Sequence, residues 1–148
     1  MTPTTETTST ARNTELALRV LETMDRHQFE EVDALLSPDF QLHFSGQQLN
    51  KEQTMAMVRS VYESFADFTH EVQETLAVDD RVVVRIIDRA THTGEFEGVP
   101  ASGRRIALGQ ISIFRLAGGQ VVEIREEADM LVLMQQIGAL PVSASLEP

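Results

Sequence analysis

Apolar residues recur at helical spacing in the first part of the chain and in alternation over the rest. The helical spacing predicts helices over Asn13–Arg26 and Phe29–Leu36, and a third helix that opens at Asn50. Asn50 with Gln53 three residues later has the spacing of a capping box, which favours a helix start there. Between the second and third helices, Phe40–Phe44 alternates as a short strand with one wet face does.

From Phe68 onward the alternating pattern is typical of strands joined by tight turns. The predicted strands are Phe68–Val78, Arg81–Thr93, Arg104–Leu116 and Val121–Ala128, and Gly94–Gly103 is predicted to be a loop. Asp129 can cap a closing helix over Met130–Ile137, and Gly138 can end it. Helices followed by hairpin-linked strands predict an α+β fold, in which a curved antiparallel or mixed sheet wraps around the N-terminal helices. Such a cone is open at one end, where a ligand pocket is expected.

Composition and charge narrow the class of protein. The 148 residues are predicted to form a single domain over 13–141, preceded by a Thr-rich disordered arm at 1–12 and followed by a tail at 142–148. A net charge of −11 argues against nucleic acid and against an anionic membrane surface as partners. The absence of cysteine removes thiol nucleophiles and thiolate metal sites, and no signal-peptide pattern opens the chain, so a cytoplasmic location is expected.

Glu126 is the first candidate for chemistry. Strand alternation puts it on one face with Val122, Ile124 and Ala128, so that a single carboxylate stands among apolar residues. Burial there would raise its pKa towards the range in which a general base works best. The alternative is that Glu126 joins Glu127 in a solvated acidic patch at the strand end.

Asp88 and His92 lie on one face of the second long strand, with Val84 and Ile86. Asp88 is interpreted as a carboxylate paired with an arginine at the pocket rim, with a second pocket acid as the alternative. His92 precedes the Gly94 loop, where it either shapes the loop or supplies a proton.

The remaining candidates are polar or aromatic residues expected to line the pocket and bind a substrate. They are Gln110, Ser112 and Phe114 on the third long strand, His43 on the short strand, and Tyr62 on the third helix. Each has a structural alternative as ordinary core packing, and Gln110 or Ser112 could instead stabilise an enolate oxygen. His27 and His70 are predicted to be surface residues, and no pairing of the four histidines predicts a metal site.

Several motifs in the second half of the chain carry a resemblance to a known family. In order they are Thr91-His92-Thr93-Gly94, Gly98-Val99-Pro100-Ala101-Ser102-Gly103-Arg104, Ile113-Phe114-Arg115, Gly119-Gln120-Val121-Val122-Glu123 and Gln135-Gln136-Ile137-Gly138. Together they resemble the SnoaL-like polyketide cyclases of the NTF2-like superfamily. The resemblance implies a cofactor-independent enzyme that closes a polyketide ring by intramolecular aldol chemistry.

The resemblance also implies roles for particular positions. Family cyclases use an aspartate near the end of the last strand as acid and base, helped by a histidine on the preceding strand. Glu126 stands in the place of that aspartate, Ser112 in that of the histidine, and Arg125 in that of a tryptophan.

Three functions therefore remain open at the level of sequence. The first is a cyclase in which Glu126 is the base and His92, Gln110, Ser112 or Tyr62 is the donor. The second is epoxide opening by Glu126 with Asp88, and the third is a non-catalytic binding module. An apolar small molecule is the expected partner, and a homodimer is expected through the outer sheet face that carries the residues Val83, Ile87, Ile111 and Ile113.

Overall fold

The computed structural model describes residues 3–141, which form four helices and six strands. The helices are α1 (Pro3–Asp25), α2 (Phe29–Leu35), α3 (Lys51–Ser64) and α4 (Met130–Gln136). The strands are β1 (Leu36–Phe44), β2 (Gln47–Asn50), β3 (Thr69–Val78), β4 (Arg81–Thr91), β5 (Arg105–Ala117) and β6 (Gln120–Ala128). None of the described helices has the length and apolar character that crossing a membrane requires.

A single six-stranded sheet carries the fold, in the order β2-β1-β6-β5-β4-β3. β1 and β6 run parallel and all other neighbouring strands run antiparallel, so the sheet is mixed. The α+β architecture with helices on one face of the sheet is confirmed. The parallel pair brings Phe44 opposite Glu126, which ties the helical half of the chain to the last strand.

The N-terminal part differs from the prediction at three points. The disordered arm predicted at 1–12 is wrong for residues 3–12, because α1 already begins at Pro3. Proline fits the first turn of a helix, and a helix anchored by packing further along extends at little cost. β1 begins at Leu36 rather than Phe40, and the short β2 was not predicted. The predicted tail at 142–148 lies outside the described residues.

The inner and outer faces of β4 follow the predicted alternation. Its buried residues are Val82, Val84, Ile86, Asp88 and Ala90, with His92 just beyond the strand. On β6 the alternation is interrupted, because the β5–β6 register shifts between Arg115 and Leu116. The shift turns Val121 into the core, although it was expected on the outer face.

Side-chain hydrogen bonds stabilise both ends of the closing helix α4. Asp129 accepts a hydrogen bond from the backbone N–H of Val132, which confirms the predicted cap. Gln136 donates through Nε2 to the carbonyl of Ala107 and accepts through Oε1 from its N–H, both at 2.9 Å. This amide pairing fixes α4 against β5 over one end of the cone.

The outer face of the sheet leaves large apolar side chains in solvent. Ile111 is 48% exposed and Ile113 is 36% exposed on β5, whereas Val83 and Ile87 on β4 are half-buried. A homodimer through this face stays a prediction.

Candidate active site

Two cavities open inside the cone, between the helices and the inner face of the sheet. Their volumes are about 90 Å³ and about 170 Å³. They share the lining residues Met57, Val61, Phe68, Gln110 and Glu126. The two cavities therefore lie side by side, and we call them the two lobes of the cone interior.

The lobes correspond to two clusters of the apolar core. Leu42, Phe114 and Ile124 belong to one cluster and line the smaller cavity. Phe65 and Leu108 belong to the other and line the larger cavity. Polar side chains on the inner face of the sheet follow the seam between the clusters, one or two on each of four neighbouring strands. They are His70 on β3, Asp88 on β4, Gln110 and Ser112 on β5, and Glu126 on β6.

Glu126 lies at this seam and lines both cavities. Its side chain is on the inner face of β6, as predicted, whereas Glu127 is exposed on the opposite face. The interpretation of Glu126 as part of a solvated patch is therefore wrong. Burial raises its pKa, against the opposing effects of the positive charge of His70 and of a hydrogen bond from Ser112.

Gln110 and Ser112 form a short hydrogen-bonded chain that ends at Glu126. Gln110 Nε2 donates to Ser112 Oγ at 2.8 Å, and Ser112 Oγ donates to Glu126 Oε1 at 3.4 Å. Both residues are buried, and the chain contacts one carboxylate oxygen of Glu126. Gln110 and Glu126 are the polar residues common to both linings.

Asp88 is the most deeply buried carboxyl group of the site. It is 3% exposed, it lines the larger cavity, and its Oδ1 has no hydrogen-bond partner. Burial raises its pKa to about 7, with the positive charge of His70 opposing and the negative charge of Glu126 adding to the effect. The predicted arginine partner is wrong: within residues 3–141 no arginine bonds Asp88, and the adjacent Arg89 binds Glu71 outside.

His70 is the cavity residue that the sequence analysis missed, since it was expected at the surface. It pairs with Asp88 in the β3–β4 register and lines the smaller cavity. Its Nδ1 lies 2.8 Å from Asp25 Oδ1, and Tyr62 donates its hydroxyl to the same oxygen at 2.7 Å. Burial lowers the pKa of His70, but the hydrogen bond and the charge of Asp25 outweigh it and raise the pKa overall.

His92 is fully buried, but it serves the loop rather than the cavities. Its Nδ1 accepts from the backbone N–H of Ser102 at 3.1 Å and lies 2.8 Å from the Ser102 hydroxyl. Its ring contacts that of Phe65. His92 is not among the residues that line either cavity, so its position matches the loop-shaping alternative rather than the proton donor.

The other predicted substrate-binding residues divide between the two sides of the sheet. Tyr62 and Phe114 are buried and line the smaller cavity. The prediction that His43 faces the pocket is wrong. His43 lies between Leu42 and Phe44, which face inward, so its side chain is on the outer face of the sheet. There its Nε2 lies 3.2 Å from Glu123 Oε2. Along the described part of the chain, no group of three His, Asp or Glu side chains is arranged to hold a metal ion.

Comparison with known proteins agrees with this fold and cavity. The family model for the SnoaL-like polyketide cyclases matches residues 14–137, and the chain belongs to that family. No match is found among curated protein sequences.

Solved structures of other proteins share the fold over nearly their whole length. AclR, a hydroxylase candidate from Streptomyces galilaeus, is 28% identical with a TM-score of 0.83, covering 89% of this chain and 99% of its own. A SnoaL-like polyketide cyclase candidate from Jannaschia sp. CCS1 is 30% identical with a TM-score of 0.78, covering 88% and 94%. TsrD from Streptomyces laurentii is 26% identical with a TM-score of 0.78, covering 88% and 97%.

Proposed function

We propose that the protein is a cofactor-independent cyclase that closes a ring in an apolar, polyketide-like substrate, with Glu126 as general base and acid. The observation that carries the proposal is the position of Glu126 at the seam of the two apolar cavities. A carboxylate with a raised pKa in an apolar site is basic enough to remove a proton from a carbon next to a carbonyl.

The proposed reaction is an intramolecular aldol closure in which every atom of the substrate is retained. Glu126 takes a proton from the carbon next to a carbonyl, and the electron pair of the C–H bond forms an enolate. The enolate carbon then attacks a second carbonyl carbon of the same molecule. The new alkoxide receives the proton back from Glu126, so the base is regenerated without a metal or cofactor.

The lining of the cavities supports an apolar substrate. Met57, Val61 and Phe68 line both lobes from the helix side and provide van der Waals contact without competing polar groups. Facing them, the chain of Gln110 and Ser112 keeps Glu126 in one orientation. An apolar substrate packed on this surface has its reacting carbon close to the carboxylate of Glu126. Such proximity and orientation lower the entropic part of the activation barrier.

A test that does not require the natural substrate is proton exchange on a bicyclic ketone such as 2-tetralone. In deuterated water, the protein should accelerate deuterium incorporation next to the carbonyl, followed by NMR. Glu126→Gln should lower this rate by about 10²–10⁴-fold while circular dichroism stays unchanged. Glu127→Gln is the matched control, because Glu127 is exposed on the opposite face of the same strand. An unchanged rate in Glu126→Gln would overturn the assignment of the base.

Epoxide opening is a second candidate, and Asp88 favours it. A carboxyl group with a pKa near 7, close enough to Glu126 for their charges to interact, could act as an acid while Glu126 activates water or an internal hydroxyl. Styrene oxide hydrolysis with and without Asp88→Asn distinguishes the two reactions. Loss of hydrolysis in this variant with retained ketone exchange would assign epoxide chemistry to the pair.

A non-catalytic binding module predicts something different for Glu126 itself. A base that works from an apolar site must titrate above the ordinary range of a glutamate. NMR titration of Glu126 with an ordinary pKa would favour the binding module over both reactions.

A further inference from the structure

His70 borders the same interior space as Glu126, on the same inner face of the sheet but on its edge strand β3. Its side chain is 7% exposed and lines the smaller cavity. Nδ1 is taken by Asp25, so Nε2 is the nitrogen left for another partner. Within residues 3–141, no hydrogen bond is made by Nε2, although the rest of the ring is tightly held.

Asp25 makes three hydrogen bonds around His70, one of them with the ring itself. Its Oδ1 faces His70 Nδ1 and accepts the Tyr62 hydroxyl, and its Oδ2 accepts the backbone N–H of His70 at 3.0 Å. The ring of Phe68 lies 5.0 Å from that of His70, centroid to centroid. Since α1, α3 and β3 all contribute to this arrangement, the direction of Nε2 is set before any ligand arrives.

The charged groups around His70 favour its protonated form. Asp25 faces it from α1, Tyr62 from α3 through the shared carboxylate, Asp88 from β4 and Glu126 from β6. Asp25, Asp88 and Glu126 all raise its pKa, against the effect of burial. In the protonated form that these charges favour, each ring nitrogen carries a proton, and Nε2–H is a charged donor in a largely apolar space.

We infer that His70 is a catalytic residue that binds an acidic oxygen of the substrate, and that Asp25 and Tyr62 are its positioning residues. This inference rests on the proposed function and adds a substrate class: an apolar molecule with a carbonyl that can become an enolate, or with a phenol. While Glu126 removes the proton from carbon, the electron pair of the carbonyl moves onto its oxygen. Nε2–H of His70 then stabilises that oxygen by a hydrogen bond, and no co-reactant is needed.

A stable probe of this site is 2-naphthol, which carries an oxygen on a flat two-ring body as an enolate does. Naphthalene is the matched ligand, because it has the same rings without the oxygen. The ratio of the two dissociation constants measures the contribution of the oxygen alone. It can be obtained by fluorescence or by NMR titration, without any turnover.

Two substitutions at His70 separate its two nitrogens. In His70→Asn the side-chain amide can replace Nδ1 towards Asp25, but nothing replaces Nε2 towards the cavity. In His70→Gln the amide can replace Nε2 as an uncharged donor. His70→Asn should reduce the preference for 2-naphthol over naphthalene by roughly 10- to 100-fold, and His70→Gln should restore part of it. His43→Gln, which changes a histidine on the outer face, should leave the preference unchanged.

Two further results test the positioning role and the folding of the variants. Asp25→Asn should lower the pKa of His70 in an NMR titration of its ring and reduce the preference for 2-naphthol over naphthalene, whereas a merely structural role would leave that preference unchanged. If His70→Asn does not fold, the wild-type protein decides instead, because 2-naphthol but not naphthalene should shift the Nε2 resonance of His70.

An equal affinity loss for both ligands, or an unchanged Nε2 resonance on adding 2-naphthol, would overturn the inference. The proposed function fails separately, since it requires loss of ketone exchange in Glu126→Gln. That variant retains His70 and should still bind 2-naphthol in preference to naphthalene.

Discussion

Ser112 and Glu126 face each other across β5 and β6, with Ser112 Oγ 3.4 Å from Glu126 Oε1. A hydrogen bond donated to a carboxylate favours its charged form, whereas burial disfavours it. Ser112 therefore limits the rise in the pKa of Glu126 that burial produces. The serine stands where the family resemblance implies a histidine, so it adjusts the base without itself being a strong acid.

Ser112→Ala should raise the pKa of Glu126 further, because it removes the hydrogen bond donated to the carboxylate, together with the oxygen that accepts from Gln110 Nε2. The acid limb of the pH profile for ketone exchange should move to higher pH, with little change on the alkaline plateau. Ser60→Ala is the control, since Ser60 is exposed on α3. An acid limb that stays in place in Ser112→Ala would mean that Ser112 does not influence the base.

Asp88 should make the protein less stable as the pH rises. Its pKa is about 7 in the folded chain against an ordinary value of 3.8, so the unfolded state releases this proton first. The stabilising contribution is complete below about pH 4 and is lost as the pH rises through about 7. The difference in pKa corresponds to on the order of 4 kcal/mol at most.

Asp88→Asn removes this titration while keeping a similar shape. The variant should gain stability relative to the wild type as the pH goes from 4 to 8, measured by urea unfolding at each pH. Comparing the two proteins cancels the other groups that titrate in this range. A constant difference between their unfolding free energies would contradict the buried, unpaired state of Asp88.

The pairing of Asp25 with His70 should contribute to stability at neutral pH. The folded pKa of His70 is raised, so its contribution is present below about 6.5 and is lost as the pH rises through the folded pKa. The folded pKa of Asp25 is lowered, because His70 and Tyr62 outweigh the effect of burial, so its contribution is lost on acidification. The pair should therefore be most stabilising between these two limits.

Asp25→Asn should cost about 3–5 kcal/mol near pH 6, since it leaves a buried charge without its partner. Tyr62→Phe removes one hydrogen bond and keeps the ring, so it should cost only about 1–2 kcal/mol. Thermal or urea unfolding measures both. Equal costs for the two variants would show that the charge of Asp25 does not contribute.

The register of β3 explains why His70 could not be found from the sequence. Counting back from the Asp79-Asp80 turn in a regular hairpin places Glu71 opposite Asp88. A register shift between Val72 and Glu74 inserts one residue, so that His70 takes this position instead. Its partner Asp25 lies 45 residues away on α1, beyond any local pattern.

Asp88 and Glu126 could be placed correctly because β4 alternates regularly up to Asp88 and β6 alternates regularly from Ile124 to Glu126. The same argument failed at Val121, where the β5–β6 register shifts. His43 follows the alternation of its strand to the outer face, so its placement in the pocket was wrong although the alternation was right. Regular alternation thus allowed Asp88 and Glu126 to be predicted. His70 could not be predicted, because its position depends on the bulge in β3 and on its contact with Asp25 of α1. Whether an arginine reaches Asp88 depends on tertiary packing, which the alternation does not indicate.

Gly94 should be intolerant of a side chain, because a Cβ atom there would meet the carbonyl oxygen of Glu63. The close approach lets the backbone N–H groups of Thr93 and Gly94 bond the carbonyl of Ser64 at 2.9 Å, which holds the loop carrying Phe96 at the larger cavity. Gly94→Ala should therefore cost about 1–3 kcal/mol in unfolding experiments and weaken naphthalene binding.

Gly109→Ala is the matched control for Gly94→Ala, because no atom lies within 4 Å of a Cβ placed on Gly109 and its φ is not positive. Its unfolding free energy should change by less than about 0.5 kcal/mol, with naphthalene binding unchanged. Equal effects of the two substitutions would mean that the contact with Glu63 does not hold the loop. A loss confined to Gly94→Ala would instead connect the Thr-His-Thr-Gly motif to the shape of the cavity, through the backbone rather than through His92.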